Sequence, residues 1–349
     1  MSKSLSHAGY AASLLSLLLI VPGEIPVQAQ DRCIGTGHLS QPVHTAKYLE
    51  AFGSQGNVPN WSAGRLARPG GAPSPDTVEV YDREGKRLYE ALIRFPGLSS
   101  IYVLEALPLT SGLLASGHAY VQEQTVSFIA KIDDSGSTTG TIETGHFMPT
   151  RLCGQPNGTI WAYGRDLVKE RDKEPYSLLR HYSLENGLLR EYLPRDSVAI
   201  RIEGVPWGGG PSGTYLSCGA NVVSLYMNQS DEFVQVDTTK DDVKRWHVDM
   251  TELPKGKVNG LGVLQNGCVY ASLHASNYGE SETWGLFVLK RDAEKPEASW
   301  RPLGDTVYLR KWNDDPRELS IWKLWGAESD ELIIKRYNYE RLLEWVTVR

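Results

Sequence analysis

Short runs that alternate apolar and polar residues recur along the chain, and each pair of runs is separated by a polar turn. The clearest pair is 77–82 and 86–93, on either side of the turn 83–85. Alternation with a period of two predicts β-strands with one buried face. The same strand–turn–strand unit recurs over 127–143, 178–192, 233–248 and 286–301. The first strands of the five units end at 82, 133, 183, 237 and 291, in steps of 51, 50, 54 and 54 residues.

A second turn precedes the later units. Asn157-Gly158 and Asn266-Gly267 each lie between two apolar runs, within 152–162 and 263–271. Because both residue types tolerate positive φ, Asn-Gly predicts a tight hairpin. The segments 215–225 and 107–114 are looser versions of this pattern. Each repeat therefore predicts four short antiparallel strands.

Four strands per roughly 50 residues, repeated along the chain, predict an all-β fold of the β-propeller type. The tail 321–348 supplies a sixth unit. We predict one β-propeller domain over residues 30–349, with six blades of four antiparallel strands. Five or seven blades and a pair of β-sandwiches are the alternatives.

Residues 30–75 are rich in Gly and Pro and lack alternation. We expect an irregular segment with one or two strands that contributes to ring closure, because an open ring leaves two unpaired edges.

Residues 1–29 have the pattern of a secretory signal peptide. Lys3 precedes an apolar run of 11 residues, Pro22 ends it, and Val27-Gln28-Ala29 places small residues before a cleavage point. A span across a bilayer needs about 20 residues, and no later stretch is long and apolar enough. The sequence predicts an exported protein, periplasmic or extracellular, with no integral membrane segment in the mature chain. An uncleaved membrane anchor is the alternative.

Charge and aromatic content narrow the class of protein. Lys and Arg number 36 against 42 Asp and Glu, for a net charge of −6. This balance argues against nucleic acid as a partner, since such proteins present a basic face. Tyr and Trp far outnumber Phe, and many fall within strands, where we expect them to pack between blades: Tyr81, Trp161, Tyr182, Trp246 and Trp300.

The four cysteines are Cys33, Cys153, Cys218 and Cys268, and none forms a C-x-x-C pair. Four cysteines allow three disulfide connectivities. Two bridges, or one bridge and two buried thiols, are both compatible with the sequence.

Two phrases carry a resemblance to a known superfamily. The segment 148–162 contains Pro149-Thr150-Arg151-Leu152 followed by the Asn-Gly turn, and 258–270 contains Asn259-Gly260-Leu261 before a second such turn. Both resemble blades of NHL-repeat and gluconolactonase-like six-bladed propellers, and the first is similar to lyases of the virginiamycin B type. The lactonase-like enzymes hold an axial metal with Glu, Asn and Asp. Only Asn259 matches that set, because 271–274 lacks the Asp, so we expect no metal and no cofactor.

Loops at one end of a propeller form a funnel, and loops on a rigid scaffold are where binding residues concentrate. The loops that enter the first strand of each blade, and those between the second and third strands, carry the polar candidates for ligand binding: His146, Arg151, Arg165, Arg201, Glu203, Asn259, His274 and Glu318. His146 is a candidate base, and Arg151 and Arg165 are candidate anion clamps. His118 and His274 are candidate metal ligands only if the fold brings them together.

Each candidate also has a plain structural interpretation. His146 fits a solvated loop, the two arginines fit pairs with nearby carboxylates, and Asn259 fits a turn. The favoured hypothesis is therefore an exported binding protein or scaffold whose loop face takes a protein, peptide or glycan, with no catalysis evident. The alternative is a lactonase or lyase. It requires three or more of these residues at one axial point: His146, Arg151, Glu203, Asn259 and Glu318.

Overall fold

Within the residues that it describes, the computed structural model is almost entirely β-structure, with one short α-helix, α1 (Leu167–Asp172), and a 3-10 turn at Arg195–Ser197. It describes residues 33, 44–46, 60–70, 73–82, 86–95, 98–121, 124–198, 213–250, 256–277, 281–292, 294–303, 308–311, 321–328, 331–337 and 342–347. The predicted signal peptide, residues 1–29, lies outside this part of the chain. No helix in these ranges is long and apolar enough to cross a membrane.

Three separate four-stranded antiparallel sheets follow one another in chain order. The first contains β2 (Asn60–Ser62), β3 (Arg65–Pro69), β4 (Thr77–Tyr81) and β5 (Arg87–Leu92). The second contains β6 (Ser99–Pro108), β7 (Leu113–Val121), β8 (Gln124–Ile132) and β9 (Thr138–Gly145). The third contains β10 (Phe147–Gly154), β11 (Ile160–Asp166), β12 (Ser177–Ser183) and β13 (Gly187–Pro194).

A larger sheet of nine strands joins the next two runs of four. One run is β14 (Thr214–Cys218), β15 (Val222–Met227), β16 (Glu232–Asp237) and β17 (Asp242–Asp249). The other is β18 (Lys257–Val263), β19 (Val269–Asn277), β20 (Ser281–Arg291) and β21 (Glu297–Pro302). A short parallel pairing of β17 with β21 connects them, and β22 (Tyr308–Lys311) extends β20.

The last sheet combines strands from both ends of the chain. It contains β23 (Ile321–Glu328), β24 (Glu331–Tyr337), β25 (Leu342–Thr347) and, at its edge, β1 (His44–Ala46). The backbone of His44 pairs with Trp345, antiparallel. The N-terminal segment therefore supplies the outer strand of the C-terminal sheet, which has four strands like the first three sheets.

The repeating hairpins predicted from alternation are confirmed: β4–β5, β8–β9, β12–β13, β16–β17 and β20–β21 all pair antiparallel. Four-stranded antiparallel sheets of this kind are consistent with propeller blades.

The N-terminal segment differs from the expectation. Within the segment 30–75, which was expected to be irregular with at most two strands, the structure has β1, β2 and β3. The strands β2 and β3 are only three and five residues long, too short for the alternation to be visible in the sequence.

The Asn-Gly turns form, but with a different geometry from the one expected. Gly158 and Gly267 have φ of +84°, whereas neither preceding asparagine has a positive φ. Instead the Asn157 side chain accepts a hydrogen bond from the backbone N–H of Thr159 (3.0 Å), and Asn266 accepts one from Cys268 (2.9 Å). Asparagine acts here through its side chain, while glycine alone supplies the left-handed backbone.

Apolar side chains fill the space between successive sheets. One cluster joins Val78 and Val80 of β4 to Ile101 of β6 and Phe128 of β8. Burial of such side chains is worth roughly 1.5–3 kcal/mol each, and is the main source of stability. The expected aromatic packing is confirmed, since all five predicted strand residues are buried: Tyr81, Trp161, Tyr182, Trp246 and Trp300.

Both pairs of cysteines form disulfides. Cys153 of β10 bonds to Cys218 of β14, so that this bridge links the first strands of two successive sheets. Cys268, in the turn between β18 and β19, bonds to Cys33, 235 residues earlier. The second bridge therefore links the N-terminal segment to the turn between β18 and β19, far along the sequence.

Replacing Cys153 and Cys218 together by alanine should lower the free energy of unfolding by about 4 kcal/mol, because the bridge closes a loop of 65 residues in the unfolded chain. Urea unfolding of the variant and the wild type under non-reducing conditions measures this difference. Peptide mapping of the unreduced wild type is the control. A peptide that joins Cys153 to either Cys33 or Cys268 would contradict the assignment.

Replacing His181 by phenylalanine should flatten the acid side of the stability profile. The His181 ring stacks on Trp161 with centroids 4.3 Å apart, and burial lowers the pKa of this imidazole. The folded state therefore favours the neutral ring, and stability is lost as pH falls below about 6.5. Urea unfolding between pH 7.5 and 5 tests this, with His247→Phe, on an exposed strand position, as the matched control. An identical pH dependence in wild type and His181→Phe would refute the prediction.

Candidate functional site

The two ends of the sheets differ. We call the end at which β6, β10, β14, β18 and β23 begin the loop end, and the end with tight turns such as β10–β11 and β18–β19 the turn end. His146 lies at the loop end, exposed in the turn before β10, and its carbonyl accepts a hydrogen bond from the Leu167 N–H (3.1 Å). This backbone bond fixes the position of α1 against the start of β10.

Arg165 lies at the end of β11, where its guanidinium is paired within its own loop. Its Nη2 is 2.5 Å from Glu170 Oε2 of α1, and its Nε donates to the same oxygen (2.7 Å). The helix begins at Asp166, whose side chain accepts the N–H of Lys169 (3.1 Å). Arg165 therefore holds the short helix against β11, and its charge is paired with a carboxylate of that helix.

Arg151, on β10, belongs to a polar centre that joins four strands. Its Nη1 donates to Glu105 Oε2 of β6 (3.0 Å), and its Nε donates to the Thr214 carbonyl of β14 (2.8 Å). Asn60 of β2 donates to the other carboxylate oxygen of Glu105 (2.7 Å) and to the Ala106 carbonyl (2.8 Å). Glu105 is only 3% exposed. Burial raises the pKa of its carboxyl, while Arg151 and Asn60 oppose that rise.

Further side-chain hydrogen bonds continue this chain of links. The Tyr215 hydroxyl of β14 donates to the Val258 carbonyl of β18 (3.1 Å). Ser272 of β19 accepts from the Leu324 N–H of β23 (2.9 Å). Trp61 Nε1 of β2 donates to Glu328 Oε2 of β23 (3.0 Å). The bonds therefore run from β2 through β6, β10, β14, the β18–β19 hairpin and β23, and return to β2.

Asn259 lies at a bulge in β18, where the register shifts between Val258 and Gly260. Its side-chain oxygen accepts a bond from the Ser272 hydroxyl (2.5 Å). The neighbouring Gly260 allows a close approach, because a Cβ there would lie 1.8 Å from the Leu324 carbonyl oxygen. The bulge thus serves the contact between β18 and β23.

Four candidate residues remain: one is half-buried on a strand, and three lie outside the residues that the structure describes. His274 lies on β19, where its backbone pairs with Lys257 of β18. Arg201, Glu203 and Glu318 lie outside the described residues. No hydrogen bond or ion pair joins His146, Arg151, Arg165 and Asn259 to one another in the part that the structure describes. Within the same part, no group of three or more His, Cys, Asp and Glu side chains is placed to hold a metal ion.

An aromatic group lies near the loop end of the β6–β9 sheet and consists of Tyr102, His118 and Tyr120. The rings of Tyr102 and His118 stack with centroids 5.2 Å apart at an angle of 14°. Tyr120 meets both rings edge-on, at 6.1 and 5.8 Å. Tyr102 is 40% exposed, and burial lowers the pKa of His118. The group presents a flat ring to solvent on a base of two further rings.

Polar atoms without partners lie beside this group. His118 Nδ1 and Ser127 Oγ are both buried, and neither has a hydrogen-bond partner in the described structure. The two residues face each other across β7 and β8, and Ser127 pairs in turn with Gly145 of β9. A Cβ at Gly145 would meet no atom within 4 Å, so there is open space beside that backbone. Two unpartnered polar atoms therefore lie beneath the aromatic group, next to the exposed turn at Gly145.

Sequence reasoning placed His118 at this end but missed Tyr102, Asn60 and Glu105. Glu105 had a visible signal, since it is a single charge within the apolar run 101–107. Such a residue is buried only if it is paired. Tyr102 had no comparable signal, because alternation with the buried Ile101 and Val103 shows only that it faces outward, and its stacking on His118 depends on the neighbouring strand.

Comparison with known proteins gives distant structural similarity only. No protein-family model matches this sequence, and no curated protein matches it significantly. A structure of U3-55K is 6% identical, with a TM-score of 0.46, over 89% of this chain and 100% of the other. A luciferin-regenerating enzyme is 12% identical, with a TM-score of 0.44, over 86% and 91%. Regucalcin from Agrobacterium tumefaciens is 12% identical, with a TM-score of 0.40, over 84% and 89%. These similarities are too distant to carry an argument about function.

Proposed function

We propose that this chain is an exported β-propeller of six blades that binds a protein, peptide or glycan through its loop end. The aromatic group carries the proposal. Tyrosine and histidine rings offer large, rigid contact area with polar edges, and such side chains dominate the energetics of many binding surfaces. The exposed Tyr102 ring on its stacked base is the feature of the described loop end that best fits this role.

The other polar side chains support a binding role over a catalytic one. A lactonase or lyase would need several of the candidate residues at one axial point. Arg151 instead pairs with the buried Glu105, and Asn259 is bonded to Ser272.

Two observations support the remaining parts of the proposal. The links between first strands pass through six four-stranded units before they return to β2, as six blades around one axis would require. The two disulfides are typical of proteins in oxidising compartments, and so favour a periplasmic or extracellular location.

Replacing Tyr102 by alanine should weaken ligand binding at least about tenfold, which corresponds to about 1.4 kcal/mol. The reason is that the flat ring supplies the contact surface while its neighbours stay in place. Ligands would first be selected on the wild type from a glycan array and a displayed peptide library. Their affinities for wild type and variant would then be measured by calorimetry.

Leu188→Ala is the matched control, because Leu188 is 46% exposed on the outer strand β13 and is distant in the fold from the loop end. We expect its affinity to equal that of the wild type. Equal affinity of Tyr102→Ala and wild type for every selected ligand would reject the aromatic group as the binding surface.

A further inference from the structure

Arg291 occupies an aromatic corner at the turn end, on the seam between the two four-stranded runs of the nine-stranded sheet. Its guanidinium carbon lies 5.0 Å from the ring centre of Phe233 and 5.4 Å from that of Trp246. Both rings are buried, and Trp246 Nε1 donates to the Asp292 carbonyl (2.8 Å), which fixes the indole. The arginine head is therefore held against two rigid apolar walls.

Other half-buried arginines of this fold are neutralised by carboxylates, as in the pairs Arg65–Asp134, Arg68–Glu79, Arg151–Glu105, Arg165–Glu170 and Arg245–Glu232. Arg291 has no such partner among the described residues. Its two hydrogen bonds both come from Nη2, to Gln235 Oε1 (3.5 Å) and the Gly267 carbonyl (3.4 Å). Both acceptors are uncharged, and both distances are at the outer limit for a hydrogen bond.

Among the described residues, the charge of Arg291 consequently has no counter-ion. Burial lowers the pKa of this guanidinium to about 10, so the group is still positively charged at neutral pH. A partly desolvated charge is costly unless it is paired, and a nearby aromatic ring recovers only part of that cost. An anion at this position would complete the pairing, and the low dielectric of the aromatic walls would strengthen the attraction.

We propose that Arg291 forms an oxyanion-binding site at the turn end, for a carboxylate or phosphate group of a ligand. The Nε and Nη1 donors have no acceptor in the described structure and remain available to that group. Planar guanidinium groups are well matched to carboxylate and phosphate oxygens. Gln235 and Gly267 both accept from Nη2 and so fix the plane of the guanidinium, which leaves Nε and Nη1 each able to give a separate hydrogen bond to an anion. This site is separate from the aromatic group, which lies near the loop end.

The first test is protection of Arg291 from phenylglyoxal, an arginine-specific reagent, on the full wild-type protein. Inorganic phosphate and acetate are added separately, at an ionic strength kept constant with sodium chloride. We expect at least one of them to slow modification of Arg291 about threefold or more, as measured by peptide mass spectrometry. Phosphate protection alone identifies a phosphate site, and acetate protection identifies a carboxylate site. Arg171, which is exposed and pairs only with its neighbour Asp172, is the internal control.

The second test is the anion-dependent rise in melting temperature, because a bound anion stabilises the folded state. Arg291→Met keeps the apolar stem and should lose this rise. Arg291→Lys keeps the charge without the planar fork, and should retain less than half of it. Failure of both anions to protect Arg291, or equal protection of Arg291 and Arg171, would overturn the proposal. The protection experiment uses only the wild type, so it decides the matter even if Arg291→Met does not fold.

Discussion

The centre of this structure depends on the hydrogen bonds that the buried Glu105 carboxylate accepts. One oxygen accepts from Asn60 and the other from Arg151, so that a single side chain connects β2, β6 and β10. Arg151 then continues to the Thr214 carbonyl of β14. A buried ion pair of this kind is worth little more than apolar residues of the same shape, but the loss of one partner is costly. We infer that its role is to specify how successive first strands are placed.

The sheets themselves follow from simpler physics, and this part of the fold could be predicted. Strand alternation and the turn residues Asn157-Gly158 and Asn266-Gly267 are local properties, so the hairpins and their spacing were visible in the sequence. The short strands β2 and β3 were not, because three to five residues carry too little pattern. The pairing of β1 with β25 joins residues about 300 positions apart, and no local pattern specifies that partner.

The candidate site was much harder to predict, for a related reason. Arg151 and Arg165 were named as candidates from the sequence, but a sequence does not show which carboxylate lies within 3 Å. The structure assigns Arg165 to its own helix and Arg151 to a strand 46 residues earlier. Conversely, the proposals for Tyr102 and Arg291 rest on their surroundings in space, namely an exposed ring stacked on His118 and a guanidinium with no carboxylate partner among the described residues. The two proposed binding positions therefore lie at opposite ends of a scaffold whose interior polar groups are largely committed to one another.

A double-mutant cycle between Glu105 and Arg151 tests the role of this ion pair most directly. The free energy of unfolding in urea is measured for Glu105→Leu, Arg151→Met and the double variant. Each single substitution strands a buried charge, and should cost about 3–5 kcal/mol. The double variant removes both charges, and should lose at least about 2 kcal/mol less than the sum of the single losses. Losses that add to within about 0.5 kcal/mol would show that the two residues act independently, and would contradict the central role of Glu105.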